Sequence, residues 1–456
     1  MRRGIMVASA ALLAGAAVLL GASPASAHVV PSTTIELDVH EADITAALTL
    51  PKEDLVAASG TDLTSTDAVG ASAARAVSSY LEKHFAVTTG TDHWTVDVAD
   101  VAETDTEQWG TGTFGAITAT ATLTPAAASD LRSFTLDYDA IIHQVESADI
   151  YVILHSDWAT GQVEGARTLG AIQVDTVSGT VPPLTVDLED GSPWNGFVGM
   201  LTLGIGHIAE GTDHQLFLLT LLLPAPLLAV GRRWKEVAPA RSAVRRITAI
   251  TIAFTIGHSI TLALGALGLP VPQQPVEALI AVSILIAAAH AIRPLFPGRE
   301  PLIAGLFGLI HGMAFSATLS ALDLSGGQLV LSLLGFNLGI EVMQLVVVLL
   351  VLPPLVLLAR TRAYTPLRVT AAVLTAAAAT GWLLARVGVP NVFGAAADTL
   401  GLASPWIVIG LWAAAITAYI IERFARGDRG SRSAGTNSAA PTDTAVVVSQ
   451  RPSENM

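Results

Sequence analysis

Five histidines, His207, His214, His258, His290 and His311, lie inside or at the edge of long apolar runs, and Asp213 and Glu341 share that region. Ionisable groups within a membrane are costly, and they mark ion or substrate paths. At 100° per residue, His207, Glu210 and His214 fall on one helix face, while Asp213 points toward a neighbouring one. Two imidazoles and a carboxylate at this spacing can converge on one cation. Asp213 would be a further ligand, or it would orient an imidazole by accepting its other ring proton. Further along, Asn337, Glu341 and Gln344 again share one face, and Ser259 follows His258 directly. The candidate metal set is therefore His207, Asp213, His214, His258, His290, His311 and Glu341. Glu210, Ser259, Asn337 and Gln344 support it. Imidazole with carboxylate suits Ni²⁺, Co²⁺, Zn²⁺, Mn²⁺, Fe²⁺ or Cu²⁺. The same groups could carry protons, because histidine titrates near neutrality. The plainer alternative is that they bond to one another and only join helices.

The elements that would position these groups are membrane spans. The chain has 456 residues, of which 52% are hydrophobic and only 14% charged, which excludes an ordinary soluble domain. Seven spans fit the apolar runs: 198–228, 246–268, 276–296, 302–321, 328–358, 366–386 and 403–422. Together they form a seven-helix domain over 195–422. Pro224 and Pro226 should disturb the end of the first span, and Pro353 and Pro354 that of the fifth. The connections after spans one, three and five carry the arginines and lysines, as does the tail. Residues 269–275 and 322–327 carry none, and only Arg386 borders 387–402. Positive residues lie inside, so the C-terminus is expected in the cytoplasm and the N-terminal domain outside a bacterial cytoplasmic membrane. Spans six and seven hold no comparable polar group and read as scaffold. Residues 427–456, rich in Ser, Gly, Thr, Ala and Pro, read as a disordered cytoplasmic tail.

The N-terminus reads as a signal peptide over 1–27. Arg2 and Arg3 precede an apolar stretch, and Ala25-Ser26-Ala27 fits a small-x-small cleavage site. Residues 28–195 then hold 26 Asp and Glu against 5 Lys and Arg. Short alternating runs over 28–192 predict a mainly-β, sandwich-like extracytoplasmic domain with strands at 34–39, 44–50, 93–99, 114–124, 132–139, 148–155, 169–176 and 183–188. Helical spacing of Ala73, Ala76, Val77, Tyr80 and Leu81 predicts one helix at 72–86. Cleavage after Ala27 would join a free amine to the His28 imidazole, and His40 could complete such an external metal site. The chain has no cysteine, so thiolate metal chemistry and disulfides are both excluded.

Several segments carry a resemblance: Gly206-His207 through Asp213-His214 with Phe217-Leu218-Leu219, Phe254 through His258-Ser259, Gly308 to Gly312 around His311, and Phe336-Asn337 through Glu341 to Gln344. Together they resemble the HupE/UreJ family of bacterial membrane proteins over most of 196–350. The resemblance implies a metal permease or accessory protein tied to nickel or cobalt supply for hydrogenase or urease. The His/Asp-rich first span is also similar to that of the broader nickel/cobalt transporters. The large acidic N-terminal region departs from the compact form of the family.

The expected function is transport of a divalent transition metal ion (Ni or Co by resemblance; Zn, Mn and Cu on chemistry). Its partners would be the ion, the lipid bilayer and a metalloenzyme-maturation or metal-delivery protein, with no nucleic acid. One alternative is a non-transporting metal sensor or metallochaperone-type accessory protein. Another is an intramembrane metalloenzyme, but no HExxH pattern is present, and the chain is read as a non-enzyme. No P-loop is present either, so the drive would come from a gradient, the membrane potential or a partner.

Overall fold

The computed structural model describes residues 31–435 except 64–68, 109–110, 127–129, 268, 270–271, 325, 395 and 397–403. The expected signal peptide, His28 and residues 436–456 of the expected tail lie outside those residues. The chain divides into two compact units, residues 1–199 with 322–328, and residues 200–321 with 329–456.

The first unit is β-rich. Its elements are β1 (Thr33–Val39), β2 (Ile44–Pro51), α1 (Lys52–Ser59), α2 (Ala71–His84), β3 (Phe85–Thr89), β4 (Asp92–His93), β5 (Thr95–Gln108), β6 (Gly112–Thr124), β7 (Ser133–Tyr138), β8 (Ile150–Asp157), β9 (Arg167–Ile172) and β10 (Leu184–Asp187). Among the described residues one sheet runs β5-β6-β2-β1-β8-β9 and another runs β10-β7-β3-β4. The β1/β8 pair is parallel, and β1/β2 is antiparallel with Leu37 opposite Ala46. Alternation sets the register. Ile35 and Leu37 are buried, as are Ile44, Ala46, Leu48 and Leu50, while the residues between them face outward. Both sheets contribute to one apolar cluster, joined by Val77 and Leu81 of α2, Phe85 and Val87 of β3, and Leu136 and Tyr138 of β7. Each such side chain contributes roughly 1.5–3 kcal/mol by leaving water.

Two elements here were not expected. The short helix α1 follows β2 directly, and β3 begins at Phe85, where the helix 72–86 was expected to continue. The chain passes from α2 into β3 with no loop, because Phe85 is already extended at the helix end. Val87, Thr88 and Thr89 are β-branched and favour the strand.

The second unit is helical. It contains α3 (Pro193–Glu210, whose first turns belong to the β-rich unit), α4 (Thr212–Leu222), a hairpin of β11 (Leu227–Val230) and β12 (Arg233–Val237), α5 (Ala240–Ala266), α6 (Gln273–Ile292), α7 (Glu300–Ala321), α8 (Gly326–Leu358), α9 (Tyr364–Arg386) and α10 (Ser404–Gly435). Among the described residues, α5, α6, α8 and α9 are each long and apolar enough to cross a membrane, and Glu300–Ser316 and Pro405–Ile421 are shorter apolar stretches. A multi-pass helical membrane region thus follows the β-rich one. Its solvent is lipid: Leu338, Leu345 and Leu349 of α8 face outward while Phe336, Ile340 and Gln344 are buried.

Two details depart from the expected spans. The first span is not one helix but two, divided at Gly211. Its expected end, 227–228, is strand, because Pro224 and Pro226 stop the helix and the hairpin turns at Gly231 with φ 63°. The fifth expected span, 328–358, is one helix that contains Pro353 and Pro354 and ends at Leu358 as expected. The last helix continues to Gly435, past the start of the expected tail.

Candidate metal centre

Four of the five intramembrane histidines meet. Gly211 ends α3, and its N–H still bonds to the His207 carbonyl (3.1 Å). As the residue before α4 it has φ −67° and ψ 96°, outside the helical region. The break brings the His207 and His214 rings to 4.5 Å between centroids. His258 of α5 lies 6.1 Å from His207 and 6.4 Å from His214, and His311 of α7 lies 4.9 Å from His214. Donor atoms of His207, His214 and His258 lie within 4.8 Å of one another, as do those of Asp213, His214 and His311. His258 and His311 are fully buried.

Glycine explains how two helices deliver His258 and His311 to one place. A methyl on Gly257 would overlap the Gly305 carbonyl, one on Gly308 would overlap that of Phe254, and one on Gly312 would overlap that of His258. The backbones of α5 and α7 therefore touch along this stripe, as small residues permit in membranes. The same holds for α3 and α8, where Gly204 faces the Phe336 carbonyl and Gly339 that of Leu201.

The hydrogen bonds fix most of the tautomers. Asp213 Oδ1 accepts from the His214 backbone N–H (2.8 Å) and from Nδ1 (2.9 Å). A carboxylate can only accept, so His214 carries its lone pair on Nε2. Ser283 Oγ donates to the Ile280 carbonyl (2.7 Å), which leaves it to accept from His311 Nε2 (3.0 Å). The lone pair of His311 is then on Nδ1, 3.4 Å from that of His214. Among the described residues, His207 Nε2 and both ring nitrogens of His258 are buried without a hydrogen-bond partner. A buried polar atom left in this state costs about 1–3 kcal/mol. A cluster of this kind can coordinate a divalent cation. Phe217, Phe254, Phe315 and Phe336 pack around the rings, forming a dry shell of the sort that controls access to a metal.

A cavity of ≈ 520 Å³ reaches the centre, lined by His207, Glu210, Asp213 and His214 at one part and by Glu277, Trp382 and Arg386 at another. Arg386 Nε donates to Glu277 Oε2 (2.5 Å).

Other expected residues lie elsewhere. His290 joins neither ligand group. Its Nδ1 accepts from the Leu295 N–H (3.1 Å), its ring stacks on Phe296 at 3.9 Å, and Nε2 is 4.0 Å from Glu300. Trp234 of the hairpin donates to its carbonyl (3.0 Å). These contacts close the α6–α7 connection. Glu341 also lies outside the two groups, in a polar seam between α5 and α8. It accepts from Thr255 Oγ1 (2.8 Å), while Ser259 Oγ bonds to Asn337 Oδ1 (2.6 Å) and to the Thr255 carbonyl (2.7 Å). Gln344 is 3.5 Å from Thr255 Oγ1. His40 bonds to Thr45 Oγ1 (3.0 Å).

Ser283, Glu277 and Arg386 were not anticipated at this site. Their signal was a hydroxyl in an apolar helix and opposite charges at two helix ends, and neither marks a site without the fold. Arg368, near the start of α9, is buried and donates to the carbonyls of Ala291 and Ile292 at the end of α6, where a cation suits the helix dipole.

Residues 185–386 match a protein family described as HupE / UreJ protein. Neither a curated protein nor a solved structure matches the chain.

Proposed function

On the match of residues 185–386 to the HupE / UreJ family, we propose that this chain is a member of it and carries a divalent transition metal ion across the bacterial cytoplasmic membrane, with nickel or cobalt as the cargo. Membership supports a non-enzymatic permease or accessory role, and the buried histidine and aspartate groups fit metal handling. The ion would be held by His207, His214, His258 and His311, with Asp213 oriented against His214. The observation that carries this reading is the opposed pair of lone pairs on His214 Nε2 and His311 Nδ1 at 3.4 Å, beside the unpartnered nitrogens of His207 and His258. Two nitrogens bound at about 2.0–2.1 Å to one tetrahedral ion lie roughly 3.3–3.4 Å apart. Helices joined only by hydrogen bonds would not leave these nitrogens idle.

The path has a direction in this reading. With seven spans and the basic connections inside, 269–275 and 387–402 face outward. Glu277 and Arg386 sit next to those segments and line the cavity that reaches His207 and Asp213. The cavity is thus the external mouth, with carboxylates at Glu210 and Asp213 to favour a cation over an anion, Glu277 being paired with Arg386. The acidic β-rich domain would share that side, and the C-terminus would be cytoplasmic. His290 and Glu341 would contribute away from the central ligands, His290 by closing a connection and Glu341 through the α5–α8 seam.

The test is flux of Ni²⁺ and Co²⁺ into proteoliposomes. The parent chain should transport, and His214→Ala and His258→Ala should abolish flux while remaining inserted. Normal flux by both variants would overturn the reading. Tight metal binding without flux in sealed vesicles would instead identify a sensor or delivery protein.

A further inference from the structure

We infer that the β-rich unit carries a second transition-metal site, formed by His84 and His143 and organised by Asp139. It lies wholly within that unit and does not depend on the membrane reading.

Helix α2 ends at His84, and the chain leaving β7 returns to it through residues 139–143. The Asp139 N–H donates to the His84 carbonyl (3.1 Å), and the His143 N–H donates to the Asp139 carbonyl (3.1 Å). Between them Ile141 has φ 66°, the left-handed region that a β-branched side chain avoids. It is held there because its side chain is fully buried and its N–H donates to Tyr80 Oη (2.9 Å). Such strained backbone persists only where the surroundings over-determine it, and it concentrates at functional sites. Here its effect is to set the His143 ring against the His84 ring, with centroids 4.4 Å apart and planes 12° from parallel.

The hydrogen bonds aim both imidazoles the same way. His84 Nδ1 lies 2.7 Å from Asp139 Oδ1, and His143 Nδ1 lies 2.9 Å from the Asp139 carbonyl oxygen. Both oxygens only accept, so both Nδ1 atoms carry the proton and both Nε2 atoms carry the lone pair. Neither Nε2 has a hydrogen-bond partner among the described residues. A carboxylate or carbonyl holding one ring nitrogen so that the other can bind a metal is the usual support of a histidine ligand. Donor atoms of His84, Asp139 and His143 lie within 4.8 Å of one another. Because the rings are stacked, one ion would be held by both Nε2 atoms once the His143 ring tilts out of the stack.

The donor set selects the class of ligand. Imidazole without thiolate suits Zn²⁺, Co²⁺, Ni²⁺ or Cu²⁺ over Mg²⁺ or Ca²⁺. Two histidine ligands leave coordination positions open, so the ion would be exchangeable rather than a permanent structural one. The two rings are half-buried, within reach of solvent.

The test is equilibrium titration of the purified full-length chain with Co²⁺, read by its visible absorption. In a His207→Ala/His214→Ala background the protein should still bind one Co²⁺. Adding His143→Ala should weaken that binding at least about 100-fold, and Asp139→Asn about 10-fold. In the otherwise native chain, His143→Ala should lower total Co²⁺ stoichiometry by one with unchanged thermal unfolding. The proposal is overturned if the background protein binds no Co²⁺, or if His143→Ala changes neither affinity nor stoichiometry.

Discussion

The β-rich and helical regions each bury an ionisable side chain and treat it differently. In the β-rich region the buried charge is matched: Asp157 is 1% exposed and is held by a two-pronged contact from Arg132 at 3.1 and 2.7 Å and by the Ala159 N–H at 3.1 Å. In the helical region fully buried His258 has neither ring nitrogen partnered. Water surrounds one fold and lipid the other, so apolar side chains line the interior of the first and the exterior of the second. A satisfied buried group reads as architecture. An imidazole left unpartnered among other imidazoles reads as a place for something that comes and goes. His290 lies between the two cases: its Nδ1 accepts from the Leu295 N–H and its ring stacks on Phe296, while its buried Nε2 has no hydrogen-bond partner among the described residues.

This contrast can be broken experimentally. The largest effect should come from His258→Ala, which removes a proposed ligand and its two idle nitrogens. Metal flux should drop at least about 100-fold, while thermal stability of the metal-free protein in detergent holds or rises. A large loss of stability would mean His258 is architecture after all. Arg132→Ala should do the reverse, leaving Asp157 buried and unpaired at a cost of about 3 kcal/mol, seen as a lower unfolding midpoint of the β-rich region. Leu349→Asp, on an outward face of α8, should cost about 3 kcal/mol of insertion, measurable as reduced membrane yield. Gly312→Ala should cost about 1–3 kcal/mol by overpacking against the His258 carbonyl, with a lower melting temperature and weakened metal binding together. The smallest effect should be at His155→Ala. Its pair with Asp38 at 2.7 Å is half-exposed, and an exposed pair is worth below about 1 kcal/mol.

Much of the fold was legible because periodicity is a local property. The alternation in 34–39 and 44–50 anticipated β1 and β2, and the spacing of Val77 and Leu81 anticipated α2. The apolar runs anticipated helices at each expected span. Boundaries set by local competition were harder. Nothing in 72–86 announces that Phe85 turns extended, and the pattern through 204–214 is equally good for one helix or two. The metal candidates divide in the same way. Their residue types were evident, because a histidine in an apolar run is conspicuous wherever it points. Their grouping was not, because it depends on glycine contacts of α5 with α7 and of α3 with α8, between segments distant in the chain.

From sequence alone came the acidic β-rich region, the apolar helices and the inventory of imidazoles and carboxylates, since composition and spacing determine which surfaces leave water. Tertiary structure alone decided that His207, His214, His258 and His311 converge, that His290 and Glu341 do not join them, and that His84 meets His143. Coordination needs donor atoms within a few ångströms, and that proximity is created only when backbones pack against one another.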